Sequence, residues 1–242
     1  MSTKTKTLKI LGKSRRYSAN ADIIASETNN GIVSVEKAVE TLMKLENPKF
    51  KDGPSVELHL KLNINPTKSD QLVRSSVVLP HGTGKSVKIA AFVTSQNEAI
   101  AKKLGATRVG GEELINAIKE SGKVDFDIAI AQPELMKLLP PIARILGTAG
   151  VMPNPKTGTV GDNIEEIINT ILAGKVDYKN DKSGNIHIIV GKLNSKFDAA
   201  KIAENINSAI ESVEKAKPDV IKKKYILSAH LATTMSPSVR VR

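Results

Sequence analysis

Cysteine and tryptophan are both absent from the 242 residues. Without cysteine there are no disulfides and no thiolate metal ligands, which fits a reducing compartment. Aromatic residues make up 3% of the chain against a hydrophobic fraction of 40%, so any core must be packed from Ile, Val, Leu and Ala. No apolar run approaches the roughly 18 residues of a membrane span. The first residues, MSTKTKTLKILGKSRR, are basic but lack the apolar stretch and cleavage site of a signal peptide. A soluble cytoplasmic protein with no membrane partner is expected. Catalytic groupings are missing too. The four histidines, His59, His81, His187 and His230, are widely separated and show no ligand spacing. No serine sits in a nucleophile elbow and no carboxylate pair is marked out by its surroundings. The expectation is no metal, no cofactor and no enzymatic activity.

What is abundant is positive charge, +11 at neutral pH, and it is unevenly placed. Residues 83–174 carry 10 Lys/Arg and 10 Asp/Glu, whereas the two ends together carry 26 and 15. All of the excess therefore lies at the ends. A scattered excess would mean a solubilising surface as readily as a binding one. Segregation into one half favours a polyanion partner, because neutralised phosphates release counterions.

Texture changes at nearly the same places. Residues 1–30 are polar and basic and are expected to form a loosely held arm. Val35–Leu45 is predicted as a helix capped by Ser34. Val56–Asn63 alternates apolar and polar residues as a half-buried strand does. Ser75–Leu79 reads as another strand. From Val87 strand and helix alternate: strands at 87–94, 107–109 and 127–131, helices at 97–104, 112–120 and from Pro133, with Pro140–Pro141 interrupting the last. That order predicts βαβ units around a parallel sheet. Ile164–Leu172 is a helix. Tyr178–Asp181 and Asn185–Val190 read as a hairpin around Lys182-Ser183-Gly184. Ala199–Lys215 is a long amphipathic helix and Tyr225–Thr234 a final strand. The expectation is α/β and α+β in two domains: a basic split α+β domain of residues 1–82 and 175–242, and an inserted Rossmann-like α/β domain of 83–174.

Two glycine-rich segments suggest chemistry. His81-Gly82-Thr83-Gly84-Lys85-Ser86 resembles a phosphate-binding loop, which makes an α/β nucleotide-binding protein the alternative reading. The Walker pattern, however, needs glycine at position 79, where Leu79 stands, and a helix where a strand is predicted. A flexible hinge fits better. Leu146–Gly161, LGTAGVMPNPKTGTVG, holds four glycines and two prolines and a single charge, Lys156. It suits a fixed loop that sets backbone and one lysine against a polar partner. The C-terminal run from Ser228 to Arg240 is rich in hydroxyls, which suit 2′-hydroxyls and phosphates.

Several runs resemble one family, the ribosomal protein L-one family of the large-subunit side stalk: LKLNINPTKSDQLVR with VVLPHGTGK, VMPNPKTGTVGDNI, NDKSGNIHIIVGK and TTMSPSVRV. The resemblance implies a structural protein that binds large-subunit ribosomal RNA, assists release of exit-site tRNA, and represses its own messenger RNA. It also implies a monomer when free and a ribosome-bound, cytoplasmic location. By position it implies RNA contacts at Lys49, Phe50, Ser55, Glu57, His59, Ser228, Thr233, Thr234, Met235 and Ser236, with Asn154 and Lys156 on the loop. Thr234→Val is then expected to weaken RNA binding and leave the fold intact. The chain departs from the family pattern at Ser236, where glycine is usual, and at Thr148-Ala149, where Gly-Pro and a basic residue are usual. A left-handed backbone at Ser236 would carry a cost.

Overall fold

The computed structural model describes residues 14–29, 31–51, 53–194 and 197–242. It is a mixed α/β structure with three separate sheets.

Helices α1 (Arg15–Thr28) and α2 (Val35–Lys44) precede β1 (Ser55–Leu62). In β1 the residues Val56, Leu58, Leu60 and Leu62 are buried, and their sequence neighbours are half-exposed. Each such leucine contributes about 1.5–3 kcal/mol by leaving water. The strand lies centrally in a four-stranded antiparallel sheet, β7-β1-β8-β9, with β7 (Asn185–Lys192), β8 (Ile226–Thr233) and β9 (Val239–Arg240). One face is covered by α2 and by α8 (Ala199–Lys215), whose Ile202, Ile206, Ala209 and Val213 are fully buried. The core beneath these helices draws its buried residues from Ile24 to Leu79 and from Tyr178 to Val239, the two ends of the chain.

The middle of the chain builds a different sheet. Strands β3 (Ile89–Phe92), β4 (Arg108–Gly110) and β5 (Ile128–Ala131) pair in parallel in the order β4-β3-β5. Helices α3 (Ser95–Lys103), α4 (Glu112–Ser121), α5 (Pro133–Met136), α6 (Ala143–Ala149) and α7 (Ile164–Leu172) surround it. Alternate residues of β3 feed two cores, Ala90 and Phe92 on one side, Ile89 and Ala91 on the other. Both faces are covered, so β3 is apolar throughout. No helix of the described residues is long and apolar enough to cross a membrane.

Two expectations are corrected. Residues 15–28 are a packed helix, not a loose arm; residues 1–13 lie outside the described residues. The helix is held by Asn20, 1% exposed, which donates from Nδ2 to the Glu46 carbonyl at 2.8 Å and accepts from the Glu46 N–H at 3.1 Å. An asparagine anchor reads as a turn former, so the apolar pattern alone does not reveal it. Nor do residues 178–181 and 185–190 form a hairpin. Residues 181–185 do make a tight turn, closed by the Asp181 N–H on the Asn185 carbonyl at 2.8 Å. The strands before and after it then part. β6 (Lys175–Lys179) pairs with β2 (Arg74–Val78), while β7 pairs with β1.

The chain enters and leaves its middle segment past two glycines. A Cβ on Gly174, whose φ is +102°, would meet the Gly82 Cα at 2.4 Å. That crossing needs glycine both for its left-handed backbone and for its closeness.

Candidate nucleic-acid interface

Among the described residues, the face of the four-stranded sheet opposite α2 and α8 is built from the polar phase of its strands. On β1 these residues are Ser55, Glu57, His59 and Lys61. Antiparallel register sets His187 of β7 and His230 of β8 opposite His59, Ser228 opposite Lys61, and Arg240 of β9 opposite His230. Three of the four histidines thus stand in one row, although they are far apart in sequence. His59 and His187 are in contact: their Nδ1 atoms lie 2.8 Å apart, with ring centroids at 5.0 Å and an edge-on angle of 66°. One ring must supply the proton of this bond and the other the lone pair.

The surroundings set the charge of these rings. Burial, reinforced by the neighbouring His187, holds the His59 imidazole below its ordinary value, against the pull of Glu57, whose Oε2 is 3.7 Å from Nε2. Burial and then the Arg240 charge push His230 down as well. Asp181 Oδ2 lies 3.6 Å from His187 Nε2.

One end of this face gathers most of the remaining expected residues. The Thr234 N–H donates to the Ser55 carbonyl at 3.0 Å, and the Ser55 N–H donates to Thr234 Oγ1 at 3.2 Å. Thr233 Oγ1 donates to Asn47 Oδ1 at 2.9 Å, tying the end of β8 to the loop that carries Lys49 and Phe50. Lys49 and Phe50 are exposed, Phe50 to 42%. Met235 is 67% exposed and adopts a left-handed backbone, φ 64°. An exposed apolar side chain on strained backbone is a feature of binding sites rather than of solubility.

Three expectations need revision here. Thr233 is buried and its hydroxyl is used within the fold, so it does not belong to the accessible set. Thr234 Oγ1 already accepts from the Ser55 N–H, so replacement by Val is expected to remove a bond at the start of β1 as well as a hydroxyl from the surface. The left-handed residue of the turn is Met235 and not Ser236. Ser236 instead closes the turn: its N–H donates to the Thr233 carbonyl at 2.9 Å, and its Oγ accepts from the Thr233 N–H at 2.9 Å. Serine at that position is therefore an asset to the turn.

Asn154 and Lys156 are not part of this sheet. They lie in the loop after α6, where Asn154 Oδ1 accepts from the Lys156 N–H at 2.8 Å and the buried Thr157 and Thr159 fix the turn. Lys156 is exposed. Hydrogen bonds within the loop join Asn154 to Lys156, Thr157 and Thr159. Beside Ser55 opens a cavity of about 410 Å³, with Arg74, Lys175 and Lys179 among its walls, along with Asp127 and Asp177. Burial raises the Asp177 carboxyl above its ordinary value.

The 81–86 segment does not build a phosphate loop. It runs into β3 and not into a helix, so it lacks the helix N-terminus that directly follows a phosphate loop. Lys85 Nζ is taken by Asp127 Oδ1 at 2.6 Å. Sequence reasoning missed His187 and His230 as the cross-strand partners of His59, and Arg240 as that of His230. The polar phase of each strand was legible, but not which strands lie side by side.

The sequence is similar to known proteins over most of its length. The family model of the ribosomal protein L1p/L10e family matches residues 33–237. The large ribosomal subunit protein uL1 of Fervidobacterium nodosum is 42% identical over 228 residues, 94% of this chain and 94% of that protein. The protein of the same name from Kosmotoga olearia is 43% identical over 208 residues, 86% of this chain and 88% of that one. That of Persephonella marina is 42% identical over 211 residues, 87% and 86% of the two chains.

Proposed function

The chain belongs to the ribosomal protein L1p/L10e family, a structural and non-enzymatic family, and on that premise we propose that it is a large-subunit ribosomal protein whose basic part grips folded ribosomal RNA. The grip has two components. Lysines and arginines concentrated at the two chain ends supply long-range attraction that weakens with salt. A compact set at one end of the open sheet, Phe50, Ser55, Thr234 and Met235 with Glu57 and Ser228 nearby, supplies selectivity through stacking and desolvated hydrogen bonds. Glu57 acts as an acceptor for a base amino group or a 2′-hydroxyl. In this reading residues 1–82 and 175–242 form the RNA-binding domain. Residues 83–174 form a second domain carried beyond it, joined through the Gly82–Gly174 crossing. Asn154 and Lys156 on its fixed loop are set to meet RNA or the departing exit-site tRNA. The same grip allows the free, monomeric protein to bind and repress its own messenger RNA, so that the protein works in the cytoplasm and on the ribosome.

One observation carries this reading. Met235 and Phe50, both exposed and apolar, are brought to the same sheet end by the Ser55–Thr234 and Asn47–Thr233 bonds. Filter binding of the full chain to a side-stalk ribosomal RNA transcript at fixed salt tests it. Loss of a base stacked on an aromatic ring costs about 1–3 kcal/mol, so Phe50→Ala is expected to weaken affinity by roughly fivefold or more. Unchanged affinity would remove this end of the sheet from the interface.

A further inference from the structure

We propose that His187, His59, His230 and Arg240 form a phosphate-binding row across the open face of the sheet, on which the RNA backbone is seated with uptake of protons. This rests on the RNA-binding reading and extends it to side chains away from the sheet end. The row follows from register: His59 is opposite both His187 and His230, and Arg240 is opposite His230. Adjacent strands lie about 4.8 Å apart, so the four cationic or protonatable heads form a continuous track perpendicular to the strands.

In the free protein full charging of the track is opposed by its own geometry. Three imidazoles side by side repel one another once protonated, and the Nδ1-to-Nδ1 bond between His59 and His187 survives only while one of those nitrogens lacks a proton. Burial and neighbouring positive charge hold His59 and His230 in the neutral form more firmly than a free imidazole. Glu57 and Lys61 share β1 with His59, and Asp181 stands beside His187. The two carboxylates each face an Nε2 at 3.6–3.7 Å, so once protonation breaks the bond between the two Nδ1 atoms, their N–H groups are left for another acceptor. Arg240 is permanently charged and draws an anion to the β9 end. A phosphate over the row supplies the missing countercharge. It accepts from the protonated rings and raises their affinity for protons. By linkage, RNA must then bind more tightly as protons become more available.

The test is the pH dependence of affinity. The full chain is titrated with the side-stalk transcript between about pH 8 and pH 6 at constant ionic strength, the range in which imidazoles change charge. Each proton taken up can strengthen binding by at most about tenfold per pH unit. The expected result is a tightening of about threefold or more per unit, lost in the combined variant His59→Gln, His187→Gln, His230→Gln. His81→Gln should keep the wild-type dependence, because His81 pairs with Glu204 of α8, on the covered side of the sheet. Thermal melts check that the combined variant is folded, and His230→Gln alone, expected to reduce the slope, serves if it is not. Tight binding that ignores pH, with a combined variant indistinguishable from wild type, would overturn the row and leave the sheet-end interface standing. Failure of the transcript to bind at any pH would overturn both.

Discussion

Met235 offers a substitution that should improve the fold and damage the function. Its backbone is left-handed, φ 64°, a conformation that costs an L-residue roughly 1–2 kcal/mol. Glycine escapes that cost but brings about 0.5–1 kcal/mol of extra unfolded-state freedom. The side chain is 67% exposed, so little burial is lost on removing it. Met235→Gly should therefore stabilise the protein by about 0.5–1 kcal/mol, a rise in Tm of about 1–4 °C for a chain of this size. Against RNA the sign reverses. Covering an exposed methionine is worth about 1–2 kcal/mol of the full transfer value, so removing it should weaken binding by about fivefold to thirtyfold. Met235→Ala separates the two effects. It keeps the left-handed strain and loses the side chain, so it should match glycine in RNA affinity and match wild type in Tm. Calorimetry and filter binding on the three proteins decide the matter. If Met235→Gly lowers Tm, the turn is not strained as described. If affinity is unchanged in both variants, the exposed methionine is not there for RNA.

Two further outcomes follow from local geometry. Gly174→Ala places a Cβ against the backbone of Gly82 at a φ of +102°. Overpacking together with the left-handed backbone should cost roughly 2–4 kcal/mol, and a denaturant midpoint equal to wild type would show that the crossing is not tight. Asp181 is held down to about 2, chiefly by the Asn185 N–H and side chain and also by the Ser183 N–H. A carboxylate lowered in this way stabilises the fold above its ordinary value of 3.8, and the contribution is lost as pH falls toward 2. Asp181→Asn should therefore be less stable at neutral pH, with the difference from wild type closing over that acidic window. A constant gap across the acid titration would assign the loss to something other than charge.

The helices and the central strand were readable because their sequences repeat with the periods of their surfaces. Ile164–Leu172 and Ala199–Lys215 fall where the apolar spacing places them, and β1 begins one residue before the alternation suggests. Helix α1 was missed because its anchor is a buried polar side chain bonded to a distant carbonyl, and local periodicity carries no record of such a bond. The supposed hairpin failed for a related reason. The turn at 181–185 is local and was legible. The choice of ladder for each strand depends on which strand offers its edge a partner, and those partners, β1 and β2, lie about a hundred residues or more away.

The candidate site divides in the same way. Phe50, Ser55, Glu57, Thr234 and Met235 were named from the family pattern, and the hydrogen bonds from the Ser55 N–H to Thr234 and from the Thr233 hydroxyl to Asn47 bring their segments together. The roles of Thr233 and Ser236 and the pairing of the histidines were not legible, since side-chain bonds to other segments, turn closure and cross-strand neighbours are properties of the assembled sheet. The amino-acid sequence by itself determined the periods, the turns, the segregation of charge and the kinship, because each is written in neighbouring residues. Only the tertiary structure decided that three scattered imidazoles share one row and that Met235, rather than Ser236, bears the left-handed backbone. Both depend on strand register, which is settled by burial between segments distant along the chain.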